Sequence, residues 1–139
     1  MLSDDEFHEL IKDLHTQDIS MCVAALKELR QYPSEDLRVL PYLEALLHDT
    51  TLCIVMLPYR FGEIRWLAAY ALAAERAALG IKEPVRLQGV VQPLSTDEYE
   101  AIHRAVGIEV KGGVEGVLKA MHTLREMGQL PLYDLELET

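Results

Sequence analysis

Apolar residues recur at helical spacing along most of this chain, and that periodicity constrains its fold more than any other feature. Phe7, Leu10, Ile11 and Leu14 stand at i, i+3, i+4 and i+7 behind Ser3 and Glu6, which fit a capping box. Ile19, Cys22, Val23 and Leu26 repeat the pattern behind Asp18. After a break at Pro33-Ser34, Leu40, Leu43 and Leu47 form a third stripe that ends at His48-Asp49. The most regular helix carries Ile64, Leu67, Ala68, Ala71, Leu72 and Leu79, and Gly80 is placed as its stop. Ser95 to Glu98 make a second capping box, ahead of Tyr99, Ile102 and Val106 and a stop at Gly107. Gly112-Gly113 precedes a last helix with Val114, Val117, Leu118 and Met121 on one face and Gly128 as its end. Only Val85 to Leu94, with Gly89 and its Val and Leu content, would also support a strand. No Gly-rich linker divides the chain, so the reading is one all-α domain over residues 1–139, of six or seven helices.

Composition agrees with helix packing. Aromatic residues are only 6% of the chain, where a β-sandwich would want more Tyr and Phe along with Val and Thr. The unbroken apolar run Leu52 to Leu57 is too short to span a bilayer, so no membrane contact is expected. Ser3-Asp4-Asp5-Glu6 is the opposite of the basic start of a targeting segment, which implies a cytoplasmic protein. The net charge of −10, concentrated in Asp4–Asp18 and Asp134–Glu138, argues against nucleic acid, whose phosphates need clustered Lys and Arg. A protein partner with a basic surface is one use for that charge, and plain solubility is the simpler one. Cys22 and Cys53 are too few and too far apart for a disulfide framework or a metal knuckle and read as buried thiols.

Segments at a constant offset of 48 resemble one another: Leu37 to Asp49 lies over Val85 to Asp97, each behind an alanine-rich helix. "DLRVLPYLEALLHD" followed by "GEIRWLAAYAL" resembles the HEAT repeat, particularly the short type related to phycobilisome-lyase proteins. Asp36, Arg38, Pro41, Leu43, Leu46, Leu47 and Asp49 match the first part of that pattern. Ile64, Arg65, Ala68, Ala71 and Leu72 match the second, and the likeness covers about residues 18 to 94. It implies an α-α superhelix of antiparallel helix pairs whose inner helices line a concave binding face. One departure stands out. Thr50 to Gly62 intervenes between the two matched parts, either as an extended turn or as an apolar "LCIVMLP" folded back over the core.

Catalytic signatures are not found: the sequence has no P-loop, no Gly-x-Gly-x-x-Gly and no nucleophile elbow. His8 and His15 stand seven apart, without the His-Glu-x-x-His spacing of a zinc site, and no metal or cofactor is expected. The chemistry-bearing cluster is Tyr59, Arg60, Phe61, Arg65 and Trp66, residue types that dominate interface hot spots. Helical geometry turns Trp66 away from the Ile64-Leu67-Ala68 stripe, towards another layer or outward. Glu63 suits a first-turn carboxylate on the helix dipole, and Phe61 a hydrophobic staple. The resemblance implies that Arg65 contacts Asp49, which leaves Tyr59, Arg60 and Trp66 as recognition candidates. The expected function is a non-catalytic protein-interaction or scaffold module. The alternative is an accessory protein of the lyase or chaperone kind that binds a chromophore or cofactor. Small residues at Ala69, Ala73 and Ala77 would admit a homodimer through close helix contact.

Overall fold

Helical spacing holds in six segments and gives way to strands in five others. The computed structural model describes residues 1–139 as six α-helices and five strands. In chain order these are α1 (Asp4–His15), α2 (Ile19–Gln31), a 3-10 turn at Leu37–Val39, α3 (Leu40–Leu46), β1 (Leu52–Met56), β2 (Arg60–Glu63), α4 (Ile64–Ala78), β3 (Val85–Val91), β4 (Leu94–Ser95), α5 (Thr96–Ala105), α6 (Gly113–Glu126) and β5 (Leu132–Leu137). The fold is mixed α/β with two antiparallel sheets, which overturns the all-α expectation and with it the α-α superhelix. No helix is long and apolar enough to cross a membrane.

The correction has a physical cause in residues 51–63. Cys53, Ile54 and Val55 carry thiol and β-branched side chains that fit a pleated surface. β1 pairs with β2, and β2 with β4, both antiparallel. Successive side chains of β1 face opposite ways, and both faces are covered. Cys53 and Val55 join one core with α1 to α4, while Leu52 joins a second core with α5 and α6, and Ile54 packs against it. A strand buried on both faces reads as a continuous apolar run, not as an alternation.

The two segments related by an offset of 48 also part company. Leu37 to Leu46 is helical, while Val85 to Val91 is strand β3 and pairs with β5 in a separate sheet. Pro41 lies in the first turn of α3, where its missing N–H costs nothing. Gly89, at the aligned position of the second segment, sits at φ +64° in a register shift of β3.

The helix ends follow the sequence closely. Both capping boxes form: Ser3 with Glu6 starts α1, and Ser95 with Glu98 starts α5. α4 stops before Gly80, whose φ of +74° lets its N–H reach Ala77 O while Ile81 N–H reaches Arg76 O. Between α2 and α3 the chain is held by a buried carboxylate. Glu75 on α4 accepts from the N–H groups of Ser34 and Glu35, and Glu35 itself takes a left-handed φ of +55°.

Candidate interaction surface

The five clustered residues named by sequence are dispersed by the fold. Tyr59 stands 54% exposed at the tip of the β1–β2 hairpin, next to Leu57 at 71%. Arg60 begins β2 half-buried, donating to Pro93 O at 3.1 Å and lying 3.4 Å from Glu98 Oε1. Phe61 is not a staple: one residue along β2 it is fully buried and meets Tyr99 edge-on, ring centroids 6.4 Å apart. Trp66 faces inward at 3% exposure. It lies 4.4 Å from the Tyr70 ring, and Arg30 stacks over the pair. Its Nε1–H donates to Tyr133 Oη at 2.7 Å. Ala69, in the stripe proposed for self-association, is fully buried.

Arg65 is drawn into a charge cluster around Glu63. The Glu63 carboxylate is buried beside β3, where it accepts from Arg65 Nε at 3.0 Å, from Val91 N–H at 2.6 Å, and lies 3.5 Å from Arg125 Nη2. Arg65 also donates to the carbonyls of Gln88 and Gly89, which the bulge in β3 turns outward. Asp49 instead caps Thr51 N–H at 3.0 Å, while its carbonyl takes the Arg65 backbone N–H at 2.9 Å. Glu63 makes no capping bond to α4. Both cysteines are free and buried, and burial pushes the Cys53 thiol up to about 12. No group of three His, Cys, Asp or Glu side chains is placed to hold a metal ion.

Sequence reasoning passed over an apolar groove of about 620 Å³ between α1 and α2. Met21, Ala24, Ala25, Glu28, Leu29 and Tyr32 line one wall, spaced i, i+3, i+4, i+7, i+8 and i+11 along α2 and its C-terminal cap. Glu6, Glu9, Leu10 and Asp13 line the other at i, i+3, i+4 and i+7 along α1. Leu29 and Ala25 form a buried floor, while Met21 at 47% and Tyr32 at 68% exposure stand open to solvent. Four carboxylates edge the groove, and no Lys or Arg lines it. Glu6 is committed to its capping box, but Glu9, Asp13 and Glu28 make no ion pair within the chain. The signal available in sequence was the acidic concentration from Asp4 to Asp18, for which solubility was the simpler account.

No family model, curated protein or solved structure matches this chain.

Proposed function

We propose that this protein is a non-catalytic protein-interaction module that receives a partner along the α1–α2 groove. The observation that carries the reading is the groove itself, an apolar floor under a rim whose charged side chains are all acidic. Exposed contiguous apolar surface with a polar rim marks an interaction site more often than a stretch of ordinary surface. Tyr59 and Leu57 at the hairpin tip supply a second, smaller apolar patch.

In-cell photocrosslinking tests the reading. A benzophenone amino acid is placed at Met21, at Tyr59 and, as a control, at the exposed Lys119. One identified protein joined at Met21 and not at Lys119 is the expected result. Adducts at Tyr59 alone move the interaction to the hairpin tip. Adducts nowhere, or equally at all three positions, overturn it.

A further inference from the structure

Resting on that reading, we infer that the groove's occupant is a basic amphipathic helix from another protein. Shape comes first. The α2 wall runs from Met21 to Tyr32, a length of about 17 Å at the helical rise, or three turns of a docked helix. Ala24 and Ala25 stand in its middle, and small residues there let a third helix approach to the usual interaxial distance of about 8–10 Å. Met21 is unbranched and adjusts to the side chains that enter.

Backbone chemistry favours a helix over a strand. The walls are two helices whose main-chain groups are bonded internally, so the groove offers a strand no edge to pair with. A helix satisfies its own backbone and presents only side chains.

Charge then selects the sign. Glu9, Asp13 and Glu28 make no ion pair in the chain, and the nearby arginines are engaged elsewhere: Arg38 with Asp4 and Asp36, Arg30 over the Tyr70 ring. Lys or Arg at the flanks of a docked apolar stripe would meet three unpaired carboxylates. A second copy of this chain would set the same acidic rim against itself, with −10 on each partner. Anionic lipid headgroups would be repelled for the same reason.

The probe is a synthetic peptide of about 18 residues, five helical turns, with Leu at i, i+3, i+4 and i+7 and Lys elsewhere. Two controls accompany it: the same composition scrambled to destroy the stripe, and the same stripe with Glu in place of Lys. Fluorescence anisotropy should show the patterned Lys peptide binding at least about tenfold tighter than either control, and weakening as salt rises. The triple variant Glu9→Lys/Asp13→Lys/Glu28→Lys, checked for unchanged circular dichroism, should lose at least about tenfold for the Lys peptide and gain the Glu peptide. Met21→Lys alone should weaken binding without moving the melting temperature. Equal binding of patterned and scrambled peptides, or affinity untouched by charge reversal, overturns the inference, as does a dimer in sedimentation that buries the groove. A Met21 adduct in cells with no peptide binding removes the basic helix and leaves the interaction reading standing. Peptide binding with no adduct at any position overturns both, because the inference rests on a partner in the groove.

Discussion

Trp66 Nε1 donates to Tyr133 Oη at 2.7 Å, joining α4 to β5 across 67 residues of chain. The residue that sequence offered for recognition is thus a fastener between the helical core and the sheet of β3 and β5. Burial raises the Tyr133 hydroxyl pKa and the bond from Trp66 pulls it back, so the phenol stays neutral and accepts. Trp66→Phe and Tyr133→Phe should each cost about 1–3 kcal/mol in urea unfolding, and the double variant should show a coupling of about 1 kcal/mol. Independent, additive losses would mean that the bond does not hold the two elements together.

Glu63 is a buried carboxylate that faces Arg65, Arg125 and the Val91 N–H from three elements. Removing it leaves Arg65, itself mostly buried, without its carboxylate. Glu63→Ala should destabilise by about 3–5 kcal/mol, the usual result of breaking one side of a buried pair. Arg65→Ala added to that variant should cost little more. Chemical denaturation of the four proteins in the cycle checks both statements.

Gly116 separates helix propensity from tertiary contact. It lies in the second turn of α6, where Gly→Ala by propensity alone should stabilise by about 0.5–1 kcal/mol. A methyl group there would overlap the Lys111 carbonyl, which belongs to the fixed turn leading into α6. Gly116→Ala should therefore lower the melting temperature, and a rise would show that the 107–112 segment gives way at little cost.

Asp36 supplies a pH-dependent part of the stability. Hydrogen bonds from the Arg38 guanidinium, outweighing burial, hold its carboxyl at about 2 against an ordinary 3.8. A carboxylate depressed on folding stabilises fully above its unfolded value, and that contribution is lost as pH falls from about 4 to about 2. It also accepts from the Leu2 N–H, so the loss should begin where α1 enters the fold. The urea midpoint should fall between pH 5 and 2, and Asp36→Asn should start lower and change less over the same range. Parallel curves for the two proteins would assign the acid sensitivity elsewhere.

Several features of the chain were legible without coordinates because they depend on residues within a few positions of one another. The capping boxes at Ser3–Glu6 and Ser95–Glu98, the stop at Gly80 and the apolar face of α4 are all of this local kind. Even the groove was half legible, since Met21, Ala24, Glu28 and Tyr32 fall on one helical stripe. What covers that stripe is another matter. A helix face is open or closed according to whether a third element arrives from far along the chain.

The sheets mark the same boundary. Arg86 lies across from Glu136 at a separation of 50 residues, and nothing local to either strand specifies that pairing. Tyr59, Phe61 and Trp66 are near neighbours in sequence, yet the hairpin turn leaves the first in solvent, while the strand and helix that follow carry the other two inward. Short-range chemistry told this chain where its helices begin and end. Which faces were left for a partner was decided only when distant segments packed, because burial is a property of the assembled molecule and not of any single stretch.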